Sequence, residues 1–226
     1  MLLELTRPVQ GGLRQERKLE AVSNHIANAD TAGFKKDILS FDKEFRARMN
    51  TDLTQGSIQR TGNKFDLALK DEGFFKIETQ AGIRYTRNGH FTLDDNGSLV
   101  DQSGNFVLGQ GGPLVANGTK IEINNAGEIR VDGTLADTLD IVTFDNLTML
   151  QKEGANNYNY KGDTRDEIQP LNLAVEQGSI EGSNVQIVDE MVNMIDHHRM
   201  YETYQKLMMT FDELDGKAIN DVGKLQ

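Results

Sequence analysis

The distribution of glycine and proline divides this chain into two helical ends and a β-rich middle. Residues 187–215 contain neither glycine nor proline and repeat apolar residues every three or four positions, which is typical of an amphipathic helix. Residues 65–170 instead form short segments of alternating apolar and polar residues between glycine-containing turns. This layout predicts a mainly β protein with helical termini.

The C-terminal end carries the longer of two apolar stripes. We predict one helix from Ile187 to Asp215, roughly 43 Å long at about 1.5 Å per residue. Ser183 or Asn184 is suited to cap its start and Gly216 to end it. Its polar side includes Glu190. The stripe itself consists of Val188, Met191, Ile195, His198, Tyr201, Tyr204, Met208, Phe211 and Leu214.

The N-terminal end carries a second, less regular stripe. Pro8 and the pair Gly11-Gly12 interrupt it, and each glycine inside a helix costs about 1 kcal/mol. The sequence therefore predicts a marginal helix unless a partner covers the stripe. Its apolar positions are Leu2, Leu5, Val9 and Leu13, followed by Leu19, Val22, Ile26 and Ala29.

The middle of the chain reads as a small all-β domain. Hairpin turns are predicted at Asn88-Gly89, Asn96-Gly97, Asn117-Gly118 and Asp132-Gly133. Two similar stretches, TQGSIQRTGN at 54–63 and EQGSIEGSN at 176–184, are interpreted as paired strands where the chain enters and leaves this domain. The aromatic residues expected in its core are Tyr85, Phe91, Phe106 and Phe144.

Together these patterns predict a β domain inserted between helical ends that pair as an antiparallel coiled coil. The predicted parts are an N-terminal helical segment (1–33), a linker and extended segment (34–64), the all-β domain (65–177), and a return strand with the long helix (178–226). Two helices cannot shield both flanks of their stripes from water. The chain is therefore expected to assemble with other molecules through its ends.

Composition excludes several classes of function. A formal charge of −11 predicts no nucleic-acid partner, and the absence of cysteine removes disulfides and thiolate sites. No run approaches the roughly 18 apolar residues that span a bilayer, so no membrane insertion is expected. The first residues, MLLELTRPVQGGLRQERKLE, lack the pattern of a cleaved secretory signal.

Candidate chemical sites are weak. His198 and Glu202 have the spacing of two metal ligands on one helix, but a surface pair is favoured. Asp94 to Gly97 suggests a tight turn rather than a calcium loop. We predict no enzyme activity, metal or cofactor. Two alternatives stay open: an enzyme that cleaves peptidoglycan with paired carboxylates, and a monomeric β domain that binds a ligand through exposed aromatics.

Four motifs carry a family resemblance. The stretch SNHIANADTAGFKKD at 23–37 resembles the N-terminal signature of bacterial flagellar rod and hook proteins. Two further stretches are similar to the middle-domain signatures of that family: GNKFDLALKDEGFFKI at 62–77 and YTRNGHFTLDDNGSLVDQSGNFVLG at 85–109. A fourth, GSIEGSNVQIVDEMVNMIDHHRMYE at 178–202, is similar to the C-terminal signature.

The resemblance implies a structural subunit of the basal-body rod with no cofactor. Its partners would be further copies, other rod proteins and the flagellar type III export apparatus, which would deliver the unfolded chain to the periplasm without a cleaved signal. One modest middle domain and a short segment at 36–55 favour a proximal-rod member. A distal-rod or hook subunit is the alternative within the family.

The predicted assembly interface combines the two ends of the chain. Asn24 and Asn28 would offer amide groups to neighbouring backbones, Gly33 would adopt a left-handed conformation, and Phe34 would anchor the departing chain. The complete predicted set is Leu13, Leu19, Val22, Asn24, Ile26, Asn28, Gly33, Phe34, Val188, Met191, Ile195, Tyr201, Tyr204, Met208 and Phe211.

Overall fold

The structure is a computed structural model that describes residues 2–42 and 46–223. The described residues fall into two compact units. The helical unit comprises those of Met1–Ala27, Asp37–Met49 and Gln186–Gln226, and the β unit comprises Asn28–Lys36 and Asn50–Val185. The chain is mainly β with one helix near each end, as the sequence predicts.

The helical unit contains two long helices and most of a hairpin. Helix α1 spans Leu2–Ala27 and helix α2 spans Ile187–Gly223; the hairpin strands are β1 (Asp37–Phe41) and β2 (Ala47–Thr51). The prediction that Gly216 ends the second helix is wrong. Gly216 is exposed with nothing close to it, so it costs α2 only the modest penalty of a helical glycine.

Helix α1 is continuous through Pro8, Gly11 and Gly12, although the sequence predicted a marginal helix there. It packs against α2, with contacts located between Gly11 and His25 of α1. The glycines contribute to this packing, because a Cβ on Gly11 would lie within 3.0 Å of the Tyr204 ring. The missing side chain thus lets an aromatic ring lie against the α1 backbone.

The two helices run antiparallel. His25, near the end of α1, hydrogen-bonds to Glu190, near the start of α2, while Gly11 contacts Tyr204. Gly11 lies fourteen residues before His25, and Tyr204 lies fourteen residues after Glu190. The register is therefore constant over this length.

The face that α2 buries differs from the predicted stripe in its first half. Glu190, expected on the polar side, is buried, whereas Val188, Met191 and Ile195 are exposed. From Tyr201 to Phe211 the predicted stripe is half-buried, as expected, but its last member, Leu214, is exposed. The buried and half-buried positions alternate by four and three residues: Glu190, Met194, His197, Tyr201, Tyr204, Met208 and Phe211.

The two α1 glycines give a prediction about this packing. Replacing Gly12 with alanine should raise the free energy of unfolding of the helical unit by about 1 kcal/mol, because the new Cβ meets Tyr204 and Met208 at ordinary contact distances. Gly11→Ala should give no gain, since moving the Tyr204 ring costs about 1–3 kcal/mol. Urea unfolding followed by circular dichroism at 222 nm measures both, and equal stabilisation by the two variants would contradict this packing.

The β unit contains seventeen of the strands. They are β3 (Ile58–Arg60), β4 (Leu67–Leu69), β5 (Phe74–Thr79), β6 (Gly82–Thr86), β7 (Thr92–Leu93), β8 (Leu99–Val100), β9 (Phe106–Gly109), β10 (Gly112–Pro113), β11 (Ile121–Ile123), β12 (Glu128–Val131), β13 (Thr134–Thr138), β14 (Ile141–Phe144), β15 (Leu150–Gly154), β16 (Asn157–Tyr160), β17 (Glu167–Ile168), β18 (Val175–Gln177) and β19 (Ser179–Glu181). Short 3-10 helices lie at Leu147–Met149 and Thr164–Asp166.

Antiparallel pairing joins these strands into four sheets. The largest follows the order β15-β16-β6-β5-β9-β8-β7, with β10 on β9, β14 on β5, and β17 on β14. A three-stranded sheet has the order β11-β12-β13. The two remaining sheets are the pairs β18–β4 and β19–β3. The pair β19–β3 joins the two similar GSI stretches, which confirms the interpretation drawn from the sequence.

Two apolar clusters form the core of the β unit. The larger is mainly aliphatic and includes Leu67, Leu69 and Val175, while the smaller is rich in aromatic rings. Tyr85, Phe91 and Phe144 are buried as predicted. Phe106 is not, because it points outward from β9, where alternate residues face the core.

Two of the four predicted hairpin turns are confirmed. Asn96-Gly97 joins β7 to β8, and Asp132-Gly133 joins β12 to β13 with positive φ at both residues. Asn88-Gly89 and Asn117-Gly118 connect strands that pair elsewhere. Their glycines serve close approach instead, since a Cβ would collide with the Leu67 carbonyl at Gly89 and with Val131 at Gly118.

Candidate assembly surface

The polar residues considered as chemical sites form ordinary surface structure. His198 Nδ1 lies 3.3 Å from Glu202 Oε1 in an exposed pair on α2, as predicted. Asp94 Oδ1 accepts the N–H groups of Asn96 and Ser98, which builds a tight turn. Within residues 2–42 and 46–223, no group of three histidine, aspartate or glutamate side chains is arranged to hold a metal ion.

The principal surface feature of the helical unit is an apolar patch on the first turns of α2. It consists of Val188, Met191, Val192 and Ile195, which we call the outer patch. These side chains are between 52% and 72% exposed. Fully burying such a side chain contributes about 1.5–3 kcal/mol relative to leaving it in water. The outer patch is therefore unfavourable in an isolated chain and favours a covering partner.

Further apolar side chains are exposed along both helices. Val9 and Leu13 on α1 are 41% and 54% exposed, while the side chains of Leu2 and Leu5, predicted for the same stripe, lie outside the described part. Beyond the outer patch, exposed apolar residues continue along α2 at Met200, Leu207, Met209 and Leu214. The surface available for assembly thus involves both helices.

The seam between α1 and α2 is unusually polar at its end near residue 25. His25 Nε2 accepts the backbone N–H of Asp37, so its proton resides on Nδ1, which lies 3.1 Å from Glu190 Oε2. Both His25 and Glu190 are buried. The helices therefore join here through a satisfied polar contact, and apolar side chains nearby are left outside.

The seam contains a second histidine, His197, whose pKa is altered by its surroundings. Burial lowers the pKa of His197 below its ordinary value, and the ammonium of Lys18 lowers it further. The folded helical unit therefore favours the neutral imidazole. As pH falls below about 6.5, the unfolded chain takes up the proton more readily, so acid weakens the helix pair.

The lowered pKa of His197 gives a prediction about how stability depends on pH. Between pH 7.5 and 5, the urea midpoint of the helical unit should fall more in the unmodified chain than in a His197→Gln variant, because glutamine cannot take up a proton. Circular dichroism at 222 nm measures both midpoints. Parallel pH curves for the two chains would show that His197 does not contribute.

The structure distributes the predicted interface residues over three environments. Five are exposed on the helices: Leu13, Asn24, Val188, Met191 and Ile195. Seven are buried or half-buried in the helical unit: Leu19, Val22, Ile26, Tyr201, Tyr204, Met208 and Phe211. The remaining three belong to the β unit: Asn28, Gly33 and Phe34.

The three positions in the β unit stabilise its own entry turn. The Asn28 side chain accepts a hydrogen bond from the Thr31 hydroxyl. Gly33 has a φ of 67°, as its predicted left-handed role requires, and its backbone packs against Asn88. Phe34 is buried, with the Lys152 ammonium 4.5 Å from its ring centre.

The sequence pattern missed two polar contacts. One is the His25–Glu190 pair, and the other is a buried charge cluster of Lys35, Arg87 and Glu181 in the β unit. Glu181 follows the GSI stretch whose pairing the sequence predicted, so its position near the chain entry was available as a signal. No sequence pattern indicated its charged partners, Lys35 and Arg87.

Comparison with known proteins places this architecture in one class, the axial proteins of the flagellar rod and hook. Residues 176–221 match the model "Flagellar basal body rod FlgEFG protein C-terminal". Residues 68–131 match the "Flagellar hook protein FlgE/F/G D1 domain", and residues 11–35 match the "Flagella basal body rod protein" model.

Relatives that match over nearly their full length indicate which kind of axial protein this chain resembles. The chain is 33% identical to flagellar basal-body rod protein FlgF of Caulobacter vibrioides over 92% of this chain and 93% of that one. It is 29% identical to FlgG of Bacillus subtilis, over 97% and 99%. It is 32% identical to the hook protein FlgE of Salmonella typhimurium, but this match covers only 44% of this chain and 27% of that one. The chain belongs to the flagellar basal-body rod protein family, as a FlgF-like structural subunit.

Proposed function

We propose that this chain is a proximal-rod subunit that assembles through its helical unit with further copies and with other rod proteins. The observation that carries the proposal is the outer patch, a set of four exposed apolar side chains beside a helix seam that uses polar contacts. In the rod, neighbouring helices would cover this patch. Close packing of many such helices would supply the stiffness that a drive shaft needs.

Within each subunit, α1 and α2 would act as an antiparallel coiled coil, with the all-β domain inserted between them. Alternating steps of four and three residues along the buried face of α2 support this geometry. The predicted interface set then divides by role. Exposed members such as Leu13, Val188 and Ile195 contact neighbours, while members such as Val22 and Tyr204 hold the pair together.

We place the subunit in the proximal rod rather than the distal rod. Its identity to FlgF of Caulobacter vibrioides exceeds its identity to FlgG of Bacillus subtilis. The short segment at 36–55, which is largely the β1–β2 hairpin, also supports this position.

Export by the flagellar type III apparatus into the periplasm, without a cleaved signal, is part of the same proposal. The sequence has no cysteine, so an unfolded chain in transit forms no disulfide. No described helix is long and apolar enough to cross a membrane. Burial of the outer patch between subunits would then stabilise the helical unit further on assembly.

A structural role without catalysis completes the proposal, as the family consists of structural proteins. The opposing candidate is cleavage of peptidoglycan. Incubating the purified chain with purified peptidoglycan should release no soluble muropeptides, and their release would contradict the structural assignment.

The experiment that tests the function is an in-frame deletion with purification and imaging of basal bodies. Rods should be missing beyond their proximal part and swimming should be lost, with both restored by the complementing gene. Intact rods and normal swimming would overturn the proposal. Loss of the hook above a complete rod would instead favour a hook subunit, the alternative within the family.

A further inference from the structure

A buried charge cluster joins the place where the chain enters the β unit to the place where it leaves. Lys35 Nζ donates to Glu181 Oε1 at 2.5 Å and to the Thr54 carbonyl at 2.6 Å. Arg87 Nε lies 3.0 Å from Glu181 Oε2, and the Gly56 N–H donates to Oε1 at 2.9 Å. One carboxylate therefore serves two cations and a backbone amide.

All three charged side chains are at most 5% exposed. Burial lowers the pKa of Lys35, and the carboxylate of Glu181 opposes that shift. Arg87 Nη1 also donates to the carbonyls of Asp71 and Gly73, which ties the cluster to the segment before β5. Without Glu181, two cations would lie in a poorly hydrated site with no carboxylate on them, which is strongly unfavourable.

The strand next to the cluster depends on the same part of the chain. We call residues 174–184 the return segment. Strand β4 is almost completely buried, and β18 of the return segment is the only strand that pairs with it in the described part of the chain. Lys70 N–H also donates to the Ala174 carbonyl, and Gly178 N–H to the Asp66 carbonyl. Without the return segment, buried backbone groups of β4 lose their partners.

The apolar core of the β unit also depends on the return segment. Val175 of the return segment belongs to the larger apolar cluster together with Leu67 and Leu69. Gln177 accepts the N–H of Ile123, and its amide group donates to the Lys64 carbonyl. The return segment thus contributes charge, backbone pairing and apolar packing to strands far from it in sequence.

From these contacts we propose that the return segment, through Glu181, is a closing element for the β unit. The strands of the N-terminal half of the unit do not reach a stable fold until this segment has docked. Lys35 and Glu181 are 146 residues apart, so the cluster forms only by closing nearly the whole unit. Folding is then a single cooperative event with the return segment as participant.

The consequence for assembly rests on the proposed export function. A chain that emerges from a channel with its N-terminus first would expose residues 28–173 before the return segment. The β unit would remain unfolded until its last strand is free, so no partly emerged chain would fold at the channel exit.

Pulse-labelling hydrogen exchange during refolding of the full chain from urea tests the closing element directly. Mass spectrometry of peptides that cover 67–79 and 175–184 gives the time at which each gains protection. We expect both to become protected together. Protection of 67–79 in a first phase, before 175–184, would overturn the proposal, and this measurement needs no variant.

Variants test the role of the carboxylate. Glu181→Gln should lower the folding equilibrium constant of the β unit by about a hundredfold or more and slow its refolding by about tenfold. The matched control is Glu167→Gln, which removes a carboxylate that contacts Lys76 and Tyr85 outside the return segment. This control should change the refolding rate by less than about threefold.

The outcomes separate this inference from the proposed function. If Glu181→Gln accelerates unfolding but leaves the refolding rate unchanged, Glu181 docks after the folding barrier and the closing role is wrong. Because this result concerns only the folding of the purified protein, it would not contradict the proposed role in the rod. Conversely, normal rods in the deletion strain would overturn the proposed function and leave the folding result standing.

Discussion

Replacing Ile195 with aspartate is expected to abolish rod assembly and swimming while the β unit stays folded. Ile195 is 52% exposed in the outer patch, so an isolated subunit tolerates aspartate at a cost within about 0.5 kcal/mol. In an assembled rod, the proposed contact would bury the carboxylate without a partner, at a cost of several kcal/mol per subunit. Because every subunit carries the change, the polymer should not form.

Motility in soft agar and imaging of basal bodies measure this effect, and circular dichroism of the purified variant checks the fold. Asn193→Asp is the matched control, since it adds the same charge at an exposed polar position on α2 and should leave swimming intact. Met208→Asp should also prevent assembly, but by weakening the helix pair itself, because Met208 packs beside Gly12. Normal swimming of the Ile195→Asp strain would refute the outer patch as an interface.

The second large effect is expected at Gly33. Its φ of 67° is costly for any residue with a Cβ, and a Cβ there would lie within 3.0 Å of the Asn88 backbone, which cannot move aside as a flexible side chain would. The left-handed conformation costs about 1–2 kcal/mol and the overlap about 1–3 kcal/mol more. Gly33→Ala should therefore destabilise the β unit by roughly 2–5 kcal/mol.

Gly62 separates these two contributions. It has a φ of 77°, but nothing lies within 4 Å of the position that a Cβ would take, so Gly62→Ala should cost only the conformational part, about 1–2 kcal/mol. Urea unfolding followed by near-ultraviolet circular dichroism of the buried tyrosines compares the variants. Equal destabilisation by both would mean that the contact with Asn88 contributes nothing.

The fold was predictable where the sequence pattern lies within one helix or β region, or within two stretches of similar sequence. The long helix, the β middle and the pairing of the two GSI stretches follow from periodicity and from direct similarity between the stretches. The four motifs also carried the family. Glycines were harder to interpret, because Gly89 and Gly118 look like turn residues in sequence but are needed for close packing.

The orientation of α2 could not be predicted in the same way. Hydrophobic periodicity identifies residues that share a face, but it does not say whether that face meets α1 or another molecule. Between Val188 and Ile195 the apolar face points outward, and the buried face is held by His25 and Glu190. That choice depends on a hydrogen bond between residues 165 apart in sequence, which no local pattern reports.

The hydrogen bond between His25 and Glu190 has a consequence for how copies of the chain resemble one another. If α2 slid along α1 by one heptad, about 10 Å, the Glu190 carboxylate would lose its partner inside the pair. Only one alignment therefore satisfies both groups. Every molecule then displays its apolar side chains at the same axial height, and a lattice with a fixed repeat distance requires such identical building blocks.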